Sequence, residues 1–78
     1  MKLGDLVKVH GTVGYDKPIN IDNHAEAIRH YAGWFGGEEI GLVLDLKLLS
    51  RGRTWARVLT LDQTVWVQTV ALKPVLDA

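Results

Sequence analysis

The sequence predicts an all-β domain, a small barrel of five strands with one short helix inserted in the long loop after the first strand. Three observations predict it. Residues 4–9 begin with glycine and aspartate and continue with alternating valines, four short apolar runs separated by turn residues fill the right half of the chain, and residues 70–76 end it with an apolar segment that contains proline. Because 78 residues are too few for a second core, we expect one domain over residues 1–78, with an insertion at about 11–39.

Composition is typical of a folded domain that acts away from membranes. Apolar residues make up 47% of the chain and charged residues 23%. The chain has no cysteine, which excludes disulfide and thiolate chemistry. Nine basic and nine acidic side chains cancel, so the long-range positive field that attracts nucleic acid is missing. No apolar run approaches the ~20 residues of a membrane span, and the start lacks an apolar signal segment; we expect a cytoplasmic protein with no membrane partner.

The left part of the chain predicts one strand, a loop and a helix. Residues 5–10 alternate and place Val7 and Val9 on one face, as in a half-buried strand. Glycines and a proline then predict a loop. Asn23 and Glu26 have the spacing of a helix-capping pair, which predicts a helix over about 24–32 with Gly33 as its C-cap. Its common face would hold Ile28, Tyr31, Ala32 and Phe35.

The right part of the chain predicts the other four strands. From residue 40 the leucines at 42, 44, 46 and 48 share one face of a long second strand. A turn at residues 50–53 leads to a third strand over 54–61 with Ala56 and Val58 facing the core. Val65 and Val67 mark the fourth strand, residues 68–72 a tight helical turn, and Pro74 a short last strand that must lie at a sheet edge.

This order resembles the SH3-like barrel, including barrels with KOW-type motifs, over residues 3–10 and 40–76. Within that class the chain is similar to small uncharacterised barrels of tailed bacteriophages. They share an Ile-Gly-Leu-Val segment, here at 40–43, a Val-Leu pair at 58–59 and a Leu-Lys-Pro-Val ending at 72–75. The resemblance implies a viral source, hence a place in the host cytoplasm or the virion, and carries over no function. Peptide-binding SH3 domains have an acidic first loop and paired tryptophans, which this chain lacks, so no PxxP groove is expected.

Few residues offer chemistry. His10, His24 and His30 form neither a helical pair nor an HExxH motif, so we predict no metal site and no cofactor. Ser50, the threonines and Asp62 do not resemble a nucleophile elbow. We therefore predict that the protein is not an enzyme; a small hydrolase is the weakest interpretation.

A basic and aromatic strand face supports one binding hypothesis. Arg53, Trp55 and Arg57 have odd numbers and should share the outward face of the third strand, with Arg51 nearby in the turn. Aromatic stacking on bases, at about 1–3 kcal/mol each, combined with guanidinium groups on phosphates binds single-stranded nucleic acid. The simpler interpretation is a solvated sheet face on which arginine stems cover the tryptophan.

A glycine-flanked aromatic segment supports the hypothesis that we prefer. Trp34 and Phe35 stand beside Gly36 and Gly37, with Tyr31 close by in sequence. Such side chains are favoured interface anchors, although an insertion that folds back would bury them in the core. We predict a non-catalytic module for protein interaction or assembly that binds a protein partner or itself through Tyr31, Trp34 and Phe35. Single-stranded nucleic-acid binding through Arg51, Arg53, Trp55 and Arg57 is the alternative.

Overall fold

The computed structural model describes residues 1–49 and 53–75, and these residues form one antiparallel sheet of seven strands with one short α-helix. The all-β prediction is confirmed. In chain order the elements are β1 Leu6–Val9, β2 Thr12–Tyr15, α1 His24–His30, β3 Tyr31–Phe35, β4 Glu39–Leu48, β5 Thr54–Leu59, β6 Thr64–Gln68, a 3-10 turn Thr69–Ala71 and β7 Leu72–Pro74.

The five-stranded SH3-like barrel is wrong. The strand order is β3-β2-β6-β5-β4-β1-β7, so the sheet has seven strands and two edges and is not closed. The two additional strands, β2 and β3, lie in the insertion where a loop was expected. They pair with each other, and β2 also pairs with β6.

A sharp bend between β1 and β2 shapes the sheet. Only His10 and Gly11 separate these strands, yet β1 lies between β4 and β7 whereas β2 lies between β3 and β6. Gly11 has a φ of +66°, a conformation that glycine adopts without steric cost, and its N–H donates to the Phe35 carbonyl at 2.6 Å. Because the chain moves from one part of the sheet to the other within two residues, the sheet is curled and one face points inward.

The helix starts as predicted and ends early. Asn23 caps it, accepting from the Glu26 N–H at 3.2 Å. The helix stops at His30, and Tyr31, with φ −57° and ψ 127°, is already extended. Gly33 is therefore inside β3 and is not a C-cap, and the predicted common helical face does not form. Aromatic residues favour strands, and pairing with β2 makes that preference decisive here.

The inward face of the sheet forms the core. It consists of Val7, Val9, Phe35, Val43, Ala56, Val58, Val65, Val67 and Leu72. The common face of Val7 and Val9 on β1 and the inward positions of Ala56 and Val58 on β5 are confirmed. The strand marked by Val65 and Val67, the 3-10 turn and the edge position of Pro74 in β7 are confirmed as well. The common face of four leucines is wrong, because a bulge between Val43 and Asp45 shifts the register of β4. Leu42 consequently faces outward with Leu59, while Leu46 packs on the core.

Candidate interaction surface

The outer face of the sheet, opposite the core, carries a row of aromatic side chains. Strand register places Tyr31 of β3 beside Tyr15 of β2, Tyr15 beside Trp66 of β6, and Trp66 beside Arg57 of β5. Side chains that stand opposite each other on one face of an antiparallel pair have their β-carbons about 4.5–5.5 Å apart. Three rings and a guanidinium group therefore follow one line across four strands.

A bulge brings Trp34 to the same face as Tyr31. Gly33 pairs with Gly14 and Tyr31 with Tyr15, so Ala32 is an extra residue in β3. Without it, residues three apart would point to opposite faces. Tyr31 is 56% exposed and Trp34 59%. Both lie on β3, which is an edge strand of the sheet.

An apolar groove lies beside these rings. Tyr15, Tyr31 and the helix residues Ala27 and Ile28 line a space of about 300 Å³. Ile28 is 76% exposed, so its side chain faces solvent rather than the core. We call Tyr15, Ile28, Tyr31 and Trp34 the aromatic surface.

Polar contacts at the end of α1 hold one wall of this groove. The His30 ring nitrogen Nδ1 lies 2.8 Å from an Asp16 carboxylate oxygen, and the Asp16 backbone N–H donates to the His30 carbonyl at 2.9 Å. These two contacts join the helix end to the segment after β2. The position of Ile28 relative to Tyr15 is fixed by them.

The Trp34 ring lies over the chain that leaves β3. A β-carbon placed on Gly36 would lie 2.6 Å from the indole Nε1 of Trp34. Any side chain at this position would move the ring. Gly36 is therefore needed for the observed orientation of Trp34.

Phe35 does not belong to the aromatic surface. It is 5% exposed and packs in the core cluster, because it alternates with Trp34 along β3 and points inward. The prediction that it anchors a partner fails for this reason. Tyr31 and Trp34 are exposed as that prediction requires; their binding role stays a prediction.

Trp55 is buried on the outer face. It is fully enclosed, at 0% exposed, together with Ile19 at 2%. The Tyr15 ring meets it edge-on, with ring centroids 5.7 Å apart and planes at 74°. A ring enclosed in this way offers no face on which a base could stack. Trp55 is therefore removed from the predicted nucleic-acid face.

In the sequence, Arg53 and Arg57 stand on either side of Trp55 of β5, and because this ring is buried, they have no exposed aromatic side chain between them. Arg53 lies 3.9 Å from the Asp22 carboxylate. Arg57 is exposed beside Trp66 and opposite Asp45. Arg51 lies outside the described residues, as does Ser50.

Sequence reasoning missed the outward positions of Tyr15 and Trp66 and the exposure of Ile28. Trp66 alternates with Val65 and Val67, so the period-two pattern already placed it outward. Tyr15 follows Val13 at the same spacing in a segment that its glycines made look like a loop. Ile28 gave no such signal, because its exposure depends on where the helix ends.

Neither metal ligation nor a membrane-spanning helix is found in the described part of the chain. No group of three or more histidine, aspartate or glutamate side chains there is placed to hold a metal ion. Within the same residues, no helix has the length and apolar character needed to cross a membrane.

Comparison with known proteins gives no relative. No protein-family model, curated protein or solved structure matches this chain.

Proposed function

We propose that this chain is a non-catalytic interaction module that binds another protein chain through the aromatic surface, with a second copy of itself as the first partner to test. The observation that carries the proposal is the pair Tyr31 and Trp34, each more than half exposed on one edge strand. Large apolar rings that remain in water on a folded domain mark interaction sites when they form a patch.

The edge position of β3 supports a protein partner. An edge strand presents unpaired backbone N–H and C=O groups to a further strand. The opposite edge, β7, is short and contains Pro74, which has no N–H to donate. Strand addition is therefore favoured at β3, next to the groove lined by Ile28. The sequence segments at 40–43, 58–59 and 72–75, which resemble those of small tailed-bacteriophage proteins, make virion assembly the setting of this proposal.

Sedimentation velocity over a range of protein concentrations tests the self-association form. Trp34→Ala should weaken association by roughly 30-fold or more, because truncating an interface anchor costs about 2 kcal/mol. Val70→Ala is the matched control, since Val70 is 89% exposed and lies in the 3-10 turn. Circular dichroism should remain unchanged in both variants. A wild type that stays monomeric at the highest concentration would end the self-association form.

Single-stranded nucleic-acid binding is the second candidate, and one observation favours it. Tyr15, Trp66 and Arg57 stand next to each other on the outer face, which combines stacking rings with a cation. The balanced net charge of the chain opposes it.

Titration of a labelled single-stranded oligonucleotide at low salt separates the two candidates. We expect weak binding at most, and Arg57→Ala should remove it. Binding that is tight, falls steeply with salt and depends on Trp66 would place this candidate first.

A further inference from the structure

Two lysine side chains stand directly opposite each other on the outer face, near the β7 edge of the sheet. Lys8 of β1 pairs in register with Lys73 of β7. Both line a cavity of about 200 Å³, together with His10, Glu38 and Ala71. Like charges directly opposite each other on neighbouring strands destabilise a sheet. The sheet therefore gains stability from negative charge placed between these two lysines.

The protein itself supplies part of that negative charge. The Glu38 carboxylate lies 3.4 Å from the Lys8 ammonium group. Among the described residues, no carboxylate forms an ion pair with Lys73. Two lysines and one glutamate leave the cavity with one positive charge when His10 is neutral. A bound anion would compensate it.

The size and donors of the cavity define the class of ligand. At ~30 Å³ per water, 200 Å³ corresponds to about seven waters. This volume suits a partly hydrated ion and is smaller than a typical pocket for a drug-sized molecule. Lysine binds phosphate as a point charge, and a histidine ring adds an N–H donor. We propose that this lysine cavity is a binding site for a compact oxyanion of the phosphate class.

Lys73 also has an explanation that needs no ligand, namely protection of the sheet edge against pairing with other chains. Lysine and proline on an edge strand prevent pairing with other chains, and β7 contains Lys73 and Pro74 side by side. That role needs the charge of Lys73 alone. It does not need Lys8 opposite, or a cavity that also contains His10 and Glu38.

Nitrogen-15 NMR titration of the intact protein with inorganic phosphate tests the proposal, with potassium chloride at matched ionic strength as the reference. We expect saturable shifts at His10, Ala71 and Lys73 with phosphate only. The expected dissociation constant is on the order of 1 mM, as for a few solvated charge-assisted contacts. Shifts that chloride reproduces, or that never saturate, overturn the site.

Charge variants give the second part of the test. Lys73→Gln should weaken phosphate binding about tenfold or more, because a charge-assisted contact is lost. Glu38→Gln should strengthen binding several-fold by releasing Lys8. Lys47→Gln, an exposed change on β4, should have no effect. If Lys73→Gln aggregates while the soluble fraction binds phosphate like the wild type, edge protection is the role of Lys73 and the anion site is refuted.

Discussion

Removal of the Trp55 side chain tests whether this ring belongs to the core or to a binding face. Trp55 is 0% exposed and packs against Tyr15. Truncating a buried tryptophan to alanine costs about 3–5 kcal/mol. A domain of 78 residues, at roughly 0.05–0.15 kcal/mol per residue, has a free energy of unfolding of about 4–12 kcal/mol. We expect Trp55→Ala to lose a large part of this free energy of unfolding, and to be unfolded if the wild type lies at the lower end of the range.

Trp55→Phe separates ring packing from the indole N–H. The Nε1 of Trp55 is buried and has no hydrogen-bond partner among the described residues. An unpaired buried donor costs about 1–3 kcal/mol, so its removal offsets the loss of the larger ring. We expect the free energy of unfolding of Trp55→Phe to stay within about 1 kcal/mol of the wild type, because the cavity left by the smaller ring and the removal of the unpaired donor act in opposite directions.

Urea unfolding followed by circular dichroism measures both variants. With an m-value of about 1 kcal/mol/M, the Trp55→Ala midpoint should fall by roughly 3–5 M, or no folded baseline should remain. Trp34→Ala is the matched tryptophan control, because Trp34 is 59% exposed. If Trp55→Ala and Trp34→Ala lose the same free energy, Trp55 is not a core residue and the reasoning about the nucleic-acid face fails.

Two further predictions concern glycines. In Gly41→Ala the new β-carbon would collide with Cγ1 of the fully buried Val58, so urea unfolding should show a loss of about 1–3 kcal/mol or more. In the double variant with Val58→Ala the loss should be smaller than the sum of the two single losses, because the collision is removed. Gly37→Ala, with no atom within 4 Å of the new carbon, should change little. Gly36→Ala should displace the Trp34 ring and shift its indole NMR signal with little loss of stability; an unchanged signal would contradict the contact.

The strands of the right half could be predicted because their patterns are local. Val65 and Val67 alternate with polar or half-buried neighbours, and one face of β6 is buried, so the period of two determines which side points inward. The Asn23 cap is equally local, since its acceptor and donor are three residues apart. Neither feature needs a distant partner to be recognised.

The insertion could not be predicted because distant contacts decide its structure. Gly14 and Gly33 resemble loop residues in the sequence, yet both lie within strands. A β-carbon on Gly14 would lie 2.9 Å from the Phe35 ring and 3.0 Å from Val65. Glycine occurs at this position because the core leaves no room for a side chain, and only the folded structure reveals that.

Trp55 and Trp66 differ in exposure for a related reason, although the sequence pattern places both on the outer face. Periodicity correctly placed Trp55 on the face opposite Ala56 and Val58. It does not reveal what covers that face. Tyr15, whose ring meets Trp55 edge-on, comes from β2, forty residues earlier in the sequence. Trp66 has the same pattern without that cover and is half-buried.

The curl of the sheet restricts where a partner can bind. Because the inward face is filled by a continuous core, binding has to use the outer face or an edge. The middle of the outer face is occupied by the buried Trp55, which the Tyr15 ring meets edge-on. What remains are the aromatic surface at the β3 edge, exposed and apolar, and the lysine cavity near the β7 edge, charged and small. Their chemistries differ, so an increase in salt concentration should weaken phosphate binding strongly, whereas it should weaken protein association through the rings only slightly.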